Sequence, residues 1–144
     1  MYIEEDIREK FESIAGGVMK NMGHALGISF LHISRDEMKA SMPVNENTVQ
    51  PMGILHGGAS VALAETLASV GAWLNLKDLN QSAVGLEINA NHIRSVPIGE
   101  TVTGTAKPLH RGSQTQVWDI RIETEQGKLV SISRCTLAII KRRS

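Results

Sequence analysis

The chain has 144 residues, enough for one domain (residues 1–144) with a real core, and fifteen Lys and Arg against fifteen Asp and Glu, a balance that gives no electrostatic case for nucleic acid. Two Phe, two Trp and one Tyr supply few platforms for stacking bases. Cys135 is the only cysteine, which excludes a disulfide framework and makes a reducing, cytoplasmic setting the expectation; Cys135 itself reads as a small core residue.

In chain order, the N-terminus runs into Glu4, Glu5 and Asp6 instead of the basic region of a secretory signal. A helix is predicted from about Glu4 to Met22, with Ile7, Phe11, Ile14 and Val18 at helical spacing and Gly23 placed to end it. Strands follow near Ile28 to Ser34 and from Glu37 to Pro43, the second alternating Met38, Ala40 and Met42 with Glu37, Lys39 and Ser41. Asn45 to Leu55, with Pro51 and Gly53, reads as a loop. From about His56 to Lys77 comes a helix of Ala, Leu, Val, Gly and Ser, the composition of a helix buried on most sides. Its apolar stretch, Ala59 to Leu74, is broken by Glu65 and falls short of the ~20 residues of a membrane span. Beyond Asp78 the period becomes two. Val84, Leu86, Ile88, Ala90 and His92 are expected on one face of a strand, followed by strands Thr101 to Leu109 and Gln114 to Glu123, a turn at Gln126-Gly127, and a last strand from Lys128 to Ile140. Lys141-Arg142-Arg143 reads as a solvated tail. The pattern predicts an α+β fold, an antiparallel β-sheet wrapped around one long central helix. One sheet covers one side of that helix, so its remaining small-residue surface and the sheet edges invite a second copy of the chain.

Glu65 is the residue that needs explaining. A carboxylate within a buried helix is unfavourable unless paired, and its helical neighbours at 61, 62, 68 and 69 are Val, Ala, Ala and Ser, so no local partner exists. It is either a structural carboxylate paired across the fold or a reactive group. Just upstream, His56-Gly57-Gly58 stands where a helix N-terminus offers free N–H groups and the positive end of its dipole. Glycines there leave room for a ligand's carbonyl, or they make a tight turn and no more.

The motifs Gln50-Pro-x-Gly-x-x-His56-Gly57-Gly58-Ala-Ser, Ala64-Glu65 with Ser69 a turn later, Gly85-Leu-Glu-Ile-Asn-Ala-Asn-His92-Ile-Arg94-Ser95, and Lys107-Pro-Leu-His-Arg-Gly112-Ser113-x-x-Gln116-Val-Trp118 together resemble the hotdog-fold acyl-CoA thioesterases. The branch is the one containing the Arthrobacter-type 4-hydroxybenzoyl-CoA, phenylacetate-pathway and 1,4-dihydroxy-2-naphthoyl-CoA thioesterases, and it is similar to the last most of all. The resemblance runs from Met42 onward. It implies a hotdog fold and hydrolysis of an acyl-CoA, with an aromatic acyl group, such as benzoyl or dihydroxynaphthoyl, as the expectation. It also implies a role for Gln50 in positioning the thioester or a water. The Gly57 N–H would polarise the carbonyl and His56 would orient it or the leaving thiolate. Glu65 would attack as a nucleophile or activate water, and Ser69 would hydrogen-bond Glu65 or that water; a core-facing serine is its plainer alternative. Gly58, with the groups His92, Arg94, Ser95 and Arg111, Gly112, Ser113, would suit the substrate and the phosphates and pantetheine of CoA, since Arg grips phosphate in a bidentate fork; solvated strand ends are the plainer reading. No cofactor is implied, and His24, His32 and His110 lack ligand-like spacing for a metal.

Nine residues of helix separate His56 from Glu65 by roughly 13 Å, too far to serve one carbonyl carbon. A site using both must join two subunits, which predicts an obligate homodimer, and the resemblance implies a dimer-of-dimers homotetramer. No nucleic acid or membrane partner is expected. A thioesterase acting on carrier-protein-bound acyl or aryl groups, and an acyl-CoA-binding hotdog module without catalysis, are the alternatives.

Overall fold

The structure is a computed structural model and describes residues 1–16 and 20–143. Strand β1 (Tyr2–Ile3) leads through a 3-10 turn at Glu5–Ile7 into α1 (Arg8–Ala15), then come α2 (Met22–Leu26), β2 (Ser29–Ile33), β3 (Met38–Pro43), the long α3 (Gly57–Leu74), β4 (Gln81–His92), β5 (Thr101–Arg111), β6 (Thr115–Thr124) and β7 (Leu129–Lys141). The strands form one sheet in the order β1-β2-β3-β5-β6-β7-β4. Every neighbouring pair is antiparallel except β1 with β2. This is the α+β hotdog arrangement expected, with α3 packed against β3, β4, β5, β6 and β7.

The sheet's inner face carries Met38, Ala40 and Met42 of β3, Val102 and Ala106 of β5, Trp118, Ile120 and Ile122 of β6, and Cys135 and Leu137 of β7, all buried. Against it α3 places Ala59, Leu63, Ala64, Leu67, Ala68, Ala72 and Leu74, the three-and-four spacing of one helix face. Small residues allow the close approach: a β-carbon at Gly71 would sit 2.6 Å from the Trp118 ring. Gln116 ties the same spot together, accepting from Trp118 Nε1 at 3.0 Å and donating to the Ala72 carbonyl at 3.2 Å.

Five expectations need correction. The N-terminal helix does not run from Glu4 to Met22. It ends at Ala15, where the Gly16 N–H donates back to the Glu12 carbonyl; Val18 lies outside the described residues. Gly23 stops nothing, being inside α2, and the left-handed cap is Gly27, at φ 72°, a conformation glycine adopts without cost. The long helix ends at Leu74, short of Lys77, because the Asn75 side-chain amide donates to the Gly71 and Arg35 carbonyls and Lys10 Nζ donates to those of Trp73 and Leu76. In β4 the register shifts between Gly85 and Glu87. The extra residue, Leu86, breaks the alternation: Gly85, Ile88, Ala90 and His92 pair with the inner-face positions of β7, whereas Val84 pairs with Ala138 and Leu86 is 65% exposed.

Finally, α3 is buried on one side only. Val61, Ala62, Glu65, Thr66, Ser69 and Val70 are half-exposed, so Glu65 is not sealed in a core. The sheet is a single layer and covers one flank of the helix.

Candidate active site

His56 is the N-cap of α3, with φ −70° and ψ 130°, and its Nδ1 accepts from the Gly58 N–H at 2.7 Å. With Nδ1 acting as acceptor, the ring proton resides on Nε2, a donor without an acceptor among the described residues. The Gly57 N–H, the first of the helix, finds no acceptor among the described residues. Beside it stands His92, at the end of β4: a β-carbon at Gly57 would lie 2.7 Å from His92 Nε2. Only glycine lets the ring and a ligand share that space.

The loop before α3 is held from both sides. The Leu55 N–H donates to Val96 and the His56 N–H to Thr48, each at 2.8 Å. Buried Thr48 in turn gives its hydroxyl to the Pro43 carbonyl and accepts from the Asn45 N–H. Within this frame Gln50 Oε1 accepts from the Met52 N–H, which turns the amide so that its NH₂ is the end available to a ligand. Gln50, Gly57, Ser60, His92, Arg94 and Ser95 line one cleft of about 260 Å³. Sequence reasoning had named all of these but Ser60, whose serine in a helix of small residues carries no signal of its own. Gly58 is exposed beside them.

Glu65 lines a second hollow of about 360 Å³, with Ser69, Ala62, Thr66, Val70 and Met22. It forms no ion pair, and no hydrogen bond joins it to Ser69 among the described residues. Its carboxylate lies against Gly85 of β4, where a β-carbon would collide with Oε1. Gly85 is the partner that sequence reasoning missed; a glycine inside a strand, which marks a close approach, was the available signal. On the sheet beneath, the buried Cys135 thiol is pushed up to about 12 by burial first, then by the carboxylates of Glu65 and Glu87. It stays protonated and offers no nucleophile.

The two hollows do not meet within one chain, since eight residues of helix from Gly57 to Glu65 span roughly 12 Å. Nor do the two arginine groups. Arg94 forms no ion pair among the described residues, whereas Arg111 Nη1 is engaged with Asp36 Oδ1 at 2.8 Å, Asn75 Oδ1 at 3.1 Å and the Arg35 carbonyl at 3.1 Å. With Gly112 and Ser113 it sits beyond the far end of α3, roughly 25 Å from Gly57 along the axis.

A helix N-terminus whose first N–H has no acceptor, in a cleft shared with Gln50 and His92, and a carboxylate without a cation partner, both among the described residues, together suit acyl transfer. Comparison with known proteins agrees. Residues 52–131 match the model of the thioesterase superfamily. The chain is 52% identical over 120 residues to 1,4-dihydroxy-2-naphthoyl-CoA hydrolase of Escherichia coli, covering 83% of this chain and 87% of that protein. It is 44% identical over 129 residues to the proofreading thioesterase EntH of Cronobacter sakazakii, covering 90% and 93%. The crystal structure of thioesterase HI1161 from Haemophilus influenzae superposes with a TM-score of 0.82 at 43% identity, covering 92% and 90%. The chain belongs to the thioesterase superfamily. It is a thioester hydrolase.

Proposed function

We propose that this protein hydrolyses aromatic acyl-CoA thioesters to the free acid and CoA, at composite sites formed between two subunits. The observation that carries the reading is the pairing, on one helix, of a Gly57 N–H without an acceptor and a Glu65 carboxylate without an ion-pair partner among the described residues, roughly 12 Å apart. In the dimer, the Gly57 cleft of one subunit faces Glu65 of the other. The Gly57 N–H, with the Gln50 amide and the His56 Nε2–H, takes the negative charge that develops on the carbonyl oxygen. Glu65 then follows one of two routes. It adds to the carbonyl carbon, CoA leaves as thiolate, and water opens the resulting mixed anhydride; or it removes a proton from a water that adds instead. Ser69, one turn on, steadies Glu65 or that water. His92, Arg94 and Ser95 flank the cleft where pantetheine and phosphate would pass. Arg111, Gly112 and Ser113 reach the same CoA from the second subunit. The dimer forms through the unpaired edge of β4 and the open face of α3, and a dimer of dimers completes a homotetramer.

The 44% identity to a proofreading thioesterase supports a second reading, removal of acyl or aryl groups from a carrier protein by the same residues.

The test is thiol release from benzoyl-CoA and 1,4-dihydroxy-2-naphthoyl-CoA, followed with a disulfide reagent. The expected result is turnover that Glu65→Ala lowers by about 10²- to 10⁴-fold with the fold intact. Near-wild-type kcat in that variant would defeat the mechanism.

A further inference from the structure

Of the polar side chains on α3, Ser60 lines the Gly57 cleft, whereas Glu65, Thr66 and Ser69 line the other hollow. Ser60 is only 2% exposed, and its hydroxyl has no hydrogen-bond partner among the described residues. A serine or threonine inside a helix commonly spends its hydroxyl on the carbonyl four residues back. Thr66 does so, donating to the Ala62 carbonyl at 2.7 Å. Ser60 does not: the His56 carbonyl receives the Ala59 and Ser60 N–H groups, at 3.0 and 3.3 Å, and no hydroxyl. Nor does Ser60 Oγ bond to His92, whose ring shares the cleft, so this is not a serine activated by a neighbouring base. A nearly buried hydroxyl without a partner is unfavourable, and alanine is the better helix former at such a position. The hydroxyl is held there against the stability of the helix.

Its place on the helix says what it can serve. Ser60 follows Gly57 by three residues, so the two β-carbon positions lie about 5–6 Å apart on one face. Helical side chains lean toward the N-terminus, which carries the Oγ over the first turn and toward the Gly57 N–H. Among the first N–H groups of α3, that of Gly58 is spent on His56 Nδ1 and those of Ala59 and Ser60 on the His56 carbonyl. Gly57 alone is left, and one backbone N–H makes a thin cradle for an oxyanion.

We propose that the Ser60 hydroxyl is a catalytic donor, hydrogen-bonding the same carbonyl oxygen as the Gly57 N–H while negative charge develops there. The inference rests on the thioesterase reading above and adds to it a donor built into the helix itself. The proton stays on Oγ throughout. As Glu65 or water adds to the carbonyl carbon, the π pair moves onto the oxygen and this hydrogen bond strengthens. The pair returns as the C–S bond breaks and CoA leaves as thiolate. Since the hydroxyl has no partner in the resting protein, it gives up no bond in order to act.

Ser60→Ala tests the assignment. For benzoyl-CoA its kcat is expected to fall about 10- to 100-fold, while KM and the inhibition constant of free CoA stay within about twofold. Its melting temperature should hold or rise, because the change deletes an unpartnered hydroxyl. Ser60→Cys, close in size but a weak donor, should remain at least about tenfold below the wild-type kcat. Four results overturn the assignment while leaving the thioesterase reading intact: a Ser60→Ala kcat within about threefold of wild type, a melting temperature that drops together with activity, a raised KM at unchanged kcat, or wild-type kcat in Ser60→Cys. If the wild-type protein cleaves no CoA thioester, that reading fails first and this one with it.

Discussion

Two crippled subunits should repair each other. One chain carries Gln50→Ala and His56→Ala, which removes the side-chain donors proposed to act with the Gly57 N–H; the other carries Glu65→Ala, which removes the carboxylate. His56 and Glu65 are roughly 13 Å apart along α3, so in the proposed arrangement each site takes its donors from one subunit and its carboxylate from the other. In a random equimolar mixture half of the dimers are mixed, and each mixed dimer holds one intact site and one doubly damaged site. The expected recovery is therefore about a quarter of wild-type activity, from parents that are each at least about a hundredfold down. The assay is thiol release from an aryl-CoA, with the two chains co-expressed under different tags and mixing verified by sequential capture on both. A verified mixture no more active than its parents would show that each site is built from one chain and would refute the reasoning.

The remaining predictions concern single positions. Gly85→Ala places a methyl where Glu65 Oε1 sits; the strand backbone tolerates alanine there, so kcat should fall by about tenfold or more while the melting temperature changes little. Gly71→Ala drives a β-carbon into Trp118 and should cost about 1–3 kcal/mol of stability by denaturant titration. The Cys135 thiol, pushed up to about 12 by burial and two carboxylates, should resist iodoacetamide at pH 8 in the native state and react once unfolded. By the same shift, the unfolded chain ionises this thiol from about pH 9 while the folded chain holds its proton to about 12; stability should therefore decline as pH rises through that window, and a Cys135→Ala variant should lose that part of the decline.

What the sequence could reveal depended on how local the determinant was. The start of α3 is written in His56-Gly57-Gly58 and its sheet face in the spacing of Leu63, Leu67 and Ala68, so both were legible. The N-terminal helix was overextended because Ile7, Phe11 and Ile14 keep helical spacing up to Gly16, and periodicity says nothing about a glycine that terminates the run. The face assignment in β4 failed at Leu86, since counting by two cannot register an inserted residue. Glu65 looked sealed in a core because composition describes a whole helix, whereas exposure depends on which flank the sheet covers. Its contact with Gly85 arises only when β4 pairs with β7 and swings back over α3, a long-range event with no local signature.

The bulge at Leu86 has a consequence for how this chain tolerates change. Edge strands usually accept insertions and deletions readily. Removing Leu86 would restore a regular ladder, with Gly85 still opposite Leu137 and Glu87 opposite Thr136, and would take the bend out of the edge. The same irregularity makes β4 a poor template for unlimited strand addition: a bent, locally twisted edge can be matched by one neighbour of complementary shape and offers a growing fibre little to copy. The residue that spoils the alternation thus limits what can pair with the open edge of the sheet.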